Sequence, residues 1–266
     1  MQNGEQKASL AAGWVAKGRI EGLRLGELPG DARPRDAAEA YAAQDALHSI
    51  LVSSGRGRPV AHKIGCTTPV MQAFLGIDSP CAGRIFDRDV HFQEALFDMS
   101  GLLHPGVECE LAVFIGASLE PGGWTFTAES VRPAVEAVFP AIEVVDDRWE
   151  DYKSVSTPSL IADDFFARAC VVGEPVAEWQ SIDLGAVTGR MTINGGLVGT
   201  GVGGDIMGHP FNALAWLANH LAARGKGLAA GEIVLLGSIV ETKWVERGDT
   251  VRIEIDGLGS AEAEFR

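Results

Sequence analysis

The segment HPGVECELAVFIG, residues 104–116, restricts the fold more than any other stretch of this chain. Val107, Cys109, Leu111 and Val113 alternate with Glu108, Glu110 and Ala112, and this period-two pattern specifies a β-strand with one face turned to a core. Residues i and i+2 of a strand share a face, so the carboxylates of Glu108 and Glu110 project together. Like charges that close raise each other's pKa, and a cation between them relieves the repulsion. Further along, FPAIEVVDD sets Glu143 in a second apolar run, with Ile142 and Val144 predicted to face the core. A lone acid in such a strand needs a partner. Two readings stand open. In one, Glu108, Glu110 and Glu143 form an oxygen-only site for a hard divalent cation: magnesium, manganese or calcium. The lack of a neighbouring Cys/His set argues against zinc. In the other, Glu108 and Glu110 lie on a solvated strand face.

Short strand-like runs continue on either side, at 60–65, 107–115, 141–145, 169–172, 186–193, 233–236 and 251–255. Helical spacing is predicted for 8–17, 36–53, 69–75, 128–137 and 209–224, with Asp36 as an N-cap and Gly55 as a stop. Strands outnumber helices and βαβ alternation is missing, which specifies an α+β fold on mixed or antiparallel sheet. The break at Arg56–Gly57–Arg58–Pro59 divides a helical N-terminal arm, 1–58, from a catalytic body, 59–266.

Acidic residues number 36 against 22 basic, a net charge of −14. Such a field repels phosphate backbones and anionic lipid, so neither nucleic acid nor membrane is expected as a partner. No apolar run approaches the roughly 20 residues of a membrane span, and the first residues lack the apolar core of a signal peptide. The four cysteines, Cys66, Cys81, Cys109 and Cys170, show no C-x-x-C spacing and suggest reduced thiols in the cytoplasm.

Lys63, between Val60 and Ile64, ends a short strand. Once desolvated, it is placed to hold a substrate carboxylate or act as an acid, although such a lysine can also simply reach for solvent. His62 beside it reads as structural. A formal G-x-G-x-x-G occurs at Gly199, Gly201 and Gly204, but no helix follows at once, and Asn194-Gly195 signals a hairpin and hence antiparallel pairing. Nicotinamide binding is therefore not expected, and these glycines mark close approach to a ligand or a neighbouring strand. His104 and His209 sit in turns without zinc-ligand spacing, and no nucleophile elbow supports a serine triad.

Taken together, HKIGCTTPVMQAFLGIDSPCAGRI, HPGVECELAVFIG, FPAIEVVDDRWEDYK, SLIADD and the long run from INGGLVGTGVGGDIMG to the end occur in an order that resembles the fumarylacetoacetate hydrolase superfamily, in its 2-keto-4-pentenoate hydratase and 4-oxalocrotonate decarboxylase branch. That resemblance implies a highly twisted mixed β-roll with the N-terminal helical arm, and a Mg2+ or Mn2+ cofactor on Glu108, Glu110 and Glu143. It also implies an active-site lysine at Lys63, a second lysine at Lys153, 2-oxo or 2-hydroxydienoic acid substrates from aromatic ring cleavage, and homo-oligomers. Two departures from the hydratase pattern stand out. Cys81 follows Pro80 where an acid is usual, and Asp164-Phe165-Phe166 follows Asp163 where an Asn-Ala-Ser stretch is usual. Asp164 joins Lys63 and Lys153 in the expected catalytic set, and Lys63, Cys81, Phe166 and Ser238 form the expected substrate-binding set.

A 2-oxo acid chelates a divalent ion through its carboxylate and C2 oxygen, and an enolate stabilised there leads to three outcomes. Hydration of a 2-hydroxy-2,4-dienoate to a 4-hydroxy-2-oxo acid comes first. Decarboxylation of a 4-oxalocrotonate-like diacid and C–C hydrolysis of an acylpyruvate are alternatives. A non-catalytic partner subunit is the reading from a different class.

Overall fold

The computed structural model describes residues 2–266. The chain opens with two helices, α1 (Gln2–Glu21) and α2 (Ala37–Ser53), that pack on each other. Asp36 starts α2 as expected: its carboxylate accepts the Glu39 N–H at 2.9 Å, satisfying one of the free donors of the first turn. Ala40, Tyr41, Ala43, Leu47 and Leu51 then form the buried stripe of α2. Four shorter helices follow: α3 (Pro69–Leu75), α4 (Ala128–Val131), α5 (Thr157–Ala162) and α6 (Pro210–Ala223).

The strands, in chain order, are β1 (Pro59–Gly65), β2 (Cys81–Phe86), β3 (Val90–Phe92), β4 (Glu94–Phe97), β5 (Pro105–Ile115), β6 (Val135–Asp146), β7 (Ala167–Val172), β8 (Thr188–Ile193), β9 (Gly196–Val202), β10 (Ile233–Trp244), β11 (Thr250–Ile255) and β12 (Gly259–Phe265). Among the described residues they make two mixed sheets, ordered β2-β1-β10-β5-β6-β7-β3 and β4-β12-β11-β8-β9. This is the expected α+β roll with helices leading it.

The larger sheet is covered on both faces. Ile64, Leu111, Val113, Ile142 and Val144 join the main core, together with the arm helices. The opposite face carries a smaller cluster dominated by small side chains, with Ala61, Ala112, Ala141, Cys170 and Leu235. Ala61, Ala112 and Ala141 each stand two residues from Lys63, Glu110 and Glu143 respectively, so by strand parity those charges share the small cluster's face. One end of this face is dry and apolar, and the other is charged.

Asn194 and Gly195, at φ 53° and 78°, turn β8 into β9, and Ile193 pairs with Gly196 in the antiparallel ladder. The turn matches its two-residue signal, since both positions require φ > 0. The glycine-rich segment is therefore a strand lying against β10: a Cβ on Gly201 would stand 2.1 Å from the Ile239 carbonyl oxygen.

The helix expected over 128–137 stops at Val131. Pro133 breaks the helical hydrogen bonding, a short 3-10 turn occupies Arg132–Ala134, and Val135 onward enters β6 opposite β5. β12 was not anticipated, because Ala and Glu carry little β preference. Only the alternation of buried Ala261, Ala263 and Phe265 with less buried Glu262 and Glu264 marks it.

Candidate active site

β5 and β6 run antiparallel with Glu108 directly opposite Glu143 and Glu110 opposite Ala141. Glu110 shares the Glu108 face, so the three carboxylates converge, each with an oxygen within 4.8 Å of the others. β10 lies between β5 and β1, and from β1 the Lys63 ammonium reaches to 3.0 Å from Glu143 Oε1. Glu110 and Glu143 are wholly buried, Lys63 nearly so, and Glu108 half-buried. A solvated strand face is thereby excluded for Glu110.

The electrostatics follow from this crowding. Burial, then repulsion from Glu143 and Glu108, pushes the Glu110 carboxyl well above the usual range. Burial also raises Glu143, to about 7, although Lys63 acts in the opposite sense. For Lys63, burial disfavours the charge, but the three glutamates outweigh it and raise the pKa.

The donor set fits a hard divalent ion. Glu110 Oε1 and Glu143 Oε2 are buried without a hydrogen-bond partner among the described residues, and buried polar atoms are normally satisfied. The remaining oxygens are held in place. Glu110 Oε2 accepts the Gly237 N–H at 3.0 Å, and the Thr242 hydroxyl donates to Glu108 Oε1. Gly237 sits at φ 124° where the β10 register slips, with a Cβ position only 2.6 Å from Thr67, so a bulge that only glycine accommodates aims its N–H at the glutamate.

A cavity of about 530 Å3 opens over this cluster. Lys63, Glu108, Phe166 and Ser238 line it, with Glu110 and Glu143 in contact through the carboxylate cluster. A larger cavity of about 930 Å3, walled by Tyr41, Trp216 and His220, contains only one carboxylate, Asp78, among its described lining residues. Size therefore does not locate the chemistry; the converging charges do.

Three expected site residues lie elsewhere. Cys81 is buried on β2 opposite Gly65 and faces the larger cavity. Lys153 is exposed, its ammonium 5.9 Å from the centre of the Tyr152 ring, and it is Tyr152 that enters the pocket wall. Asp164 is turned toward the arm. Its Oδ1 lies 2.7 Å from His48 Nε2 and accepts the Arg84 N–H at 3.0 Å, while Oδ2 is 3.1 Å from Arg19 Nη2. Asp163 next to it binds Arg19 and Arg148. Buried carboxylates find whichever cations the fold supplies, and here Arg19 and His48 come from the arm and Arg148 from the segment after β6.

This ionic network pins a strained turn. Asp164, Phe165 and Phe166 all adopt left-handed backbone, with φ of 54°, 50° and 67°. Non-glycine residues in that region cost about 1–3 kcal/mol each, so the surrounding contacts must hold them there. The turn presses Phe165 onto β1, where its ring lies 5.4 Å from the Lys63 ammonium and 3.0 Å from a Cβ position on Gly65. Phe166 packs edge-on against both Phe165 and Tyr152.

Asp164 also makes a prediction about acid stability. Burial would raise its pKa, but His48 and Arg19 beside it win and lower it to about 2 from 3.8. A carboxylate whose folded pKa is depressed stabilises above its unfolded pKa, and that contribution is lost as pH falls through the folded value. Urea unfolding is expected to show about 2 kcal/mol lost between roughly pH 4 and pH 2 from this group. Asp164→Asn should lose stability at pH 7 and show a flatter profile below pH 4. An unchanged acid limb in the variant would remove Asp164 from that role.

Sequence reasoning missed Tyr152, Thr242 and Gly237. A usable signal existed for one of them: a glycine inside the apolar run LLGSIV marks a bulge.

Residues 98–266 match the family model described as fumarylacetoacetate (FAA) hydrolase C-terminal. A 2-keto-4-pentenoate hydratase of Paraburkholderia xenovorans (strain LB400) is 35% identical over 228 residues, covering 85% of this chain and 83% of that protein. A 4-oxalocrotonate decarboxylase of Pseudomonas putida is 30% identical over 263 residues, covering 99% and 98%. Among solved structures, the 4-oxalocrotonate decarboxylase from Pseudomonas putida G7, complexed with magnesium and adipate, superposes with a TM-score of 0.91 at 28% identity over 98% of both chains.

Proposed function

This chain belongs to the fumarylacetoacetate hydrolase family, and from that premise we propose that it is a divalent-metal-dependent lyase that hydrates a 2-hydroxy-2,4-dienoate to a 4-hydroxy-2-oxo acid. The observation that carries the reading is the buried convergence of Glu108, Glu110 and Glu143 beside Lys63, under a pocket large enough for a small oxo acid. Relatives named as hydratases of 2-keto-4-pentenoate and of 2-hydroxyhexa-2,4-dienoate support it.

In this reading the three glutamates hold Mg2+ or Mn2+. When bound, the ion supplies Lewis-acid stabilisation to negative charge developing on the C2 oxygen of the substrate. Lys63 pairs with the substrate's C1 carboxylate, which fixes the acid end and offsets the negative field of the glutamates. Gly237 N–H and the Thr242 hydroxyl keep Glu110 and Glu108 in place. Phe165, Phe166 and Tyr152 close the pocket side and limit bulk water. Residues 1–58 serve as the arm that braces this site, and 59–266 as the catalytic body.

The likeness to 4-oxalocrotonate decarboxylase along almost the whole chain favours decarboxylation as the second reading. Incubation with 2-hydroxypenta-2,4-dienoate and with 4-oxalocrotonate, with products resolved by mass, separates them. Gain of water by the first substrate is expected. Loss of carbon dioxide from the second, with the first untouched, would overturn hydration. Excess chelator should stop turnover, and Mg2+ or Mn2+ should restore it; unaltered rates in chelator would contradict the metal site.

No described helix is long and apolar enough to cross a membrane. Four free, buried cysteines support a reducing, cytoplasmic setting. Exposed Leu10 and Trp14, one turn apart on α1, support a homo-oligomer, which light scattering would test.

A further inference from the structure

We infer that the site selects substrates whose distal tail is apolar and discriminates against those ending in a second carboxylate; this rests on the oxo-acid reading above. An acid end held by Lys63 and the glutamates leaves the tail to occupy the rest of the 530 Å3 cavity. That remainder is walled by Met71, Leu75, Tyr152, Phe165, Phe166 and Trp244. The other charged members of the lining are all acidic: Glu108, which belongs to the carboxylate cluster, and Asp205 and Glu241 outside it, the last paired with Lys243. Among the described lining residues Lys63 is the one cation, and it is already engaged with Glu143. Lys153 and Lys243 stand outside the lining, the first exposed behind Tyr152 and the second bound to Glu241 at 2.6 Å.

The neutral polar members of the lining, Thr67, Thr68, Ser238 and Thr242, offer hydroxyls but no positive charge, so a second carboxylate entering this space loses hydration without gaining a cation. Burying an ionised group without a partner is costly, whereas an alkyl or aryl tail gains by leaving water. Discrimination of this kind comes from the repulsive element as much as from the attractive one. The wall is also rigid. The left-handed turn that carries Phe165 and Phe166 is fastened by Arg19 and His48 through Asp163 and Asp164, so the rings cannot easily swing aside to admit a solvated anion.

The test uses two inert ligands of equal length, 2-oxohexanoate and 2-oxoadipate, which differ only in a terminal methyl against a carboxylate. Calorimetric titration into the Mg2+-loaded protein is expected to give tighter binding of 2-oxohexanoate by at least about tenfold. Met71→Arg, on a half-exposed position that tolerates charge, and Phe166→Arg each supply a cation to the wall. Both should shrink the ratio by about tenfold or reverse it. Equal or tighter binding of 2-oxoadipate by the unaltered protein overturns the inference, as does a ratio that neither arginine moves. Failure of both acids to bind would instead bring down the oxo-acid reading itself, which the product analysis checks separately.

Discussion

Glu110→Gln is expected to weaken Mn2+ binding by at least about 100-fold and to lower turnover by about a thousandfold or more, while the metal-free protein becomes more stable. The opposite signs have one cause. Without an ion, Glu110 is a buried carboxylate beside Glu143 and Glu108, with Lys63 alone to balance all three. Glutamine keeps the volume and the acceptor for Gly237 N–H but removes the cost of either ionising or protonating a buried carboxyl group there. A site built for a dication is strained when empty, and the strain is released by the same change that abolishes binding. Calorimetric Mn2+ titration and a thermal melt in chelator measure the two halves. If the variant keeps full affinity, or if its metal-free form melts lower, the assignment of Glu110 to the ion fails.

Lys63→Met is the second large effect. It leaves three buried or half-buried carboxylates with no cation among the described pocket residues, so unfolding free energy at neutral pH should fall by about 3–5 kcal/mol. Added Mg2+ should restore much of that loss, because the ion supplies the charge that the ammonium no longer does. Activity should not return with it, since the anchor for the substrate carboxylate is gone, and KM should rise even where residual turnover is measurable. Denaturant titrations with and without Mg2+, alongside the kinetics, check both parts. A variant as stable as the parent in chelator would show that Lys63 does not balance the cluster.

The legible part of the site was its strand parity. Glu108 and Glu110 could be put on one face from their spacing alone, and an acid at Glu143 inside an apolar run demanded a partner. The Asn194-Gly195 turn and the Asp36 cap were equally readable, because each is a contact between neighbours in the chain. Lys153 was misplaced by one residue: in the short turn at Asp151-Tyr152-Lys153 the ring enters the pocket and the ammonium faces solvent. Nothing local marks which of two adjacent side chains will do so.

Asp164 shows the deeper difficulty. Its side-chain partners are His48 and Arg19, more than a hundred positions away, and they fasten the left-handed turn it anchors. Period, capping and turn chemistry are short-range and are written into consecutive residues, so the chain alone decided the strands of the charged face and the class of ion they suit. Strand order, the bulge at Gly237 and the pairing of arm with turn are long-range. They depend on which surfaces meet once the chain is packed, and so only the tertiary structure decided which acids share a pocket and what wall the substrate's tail must face.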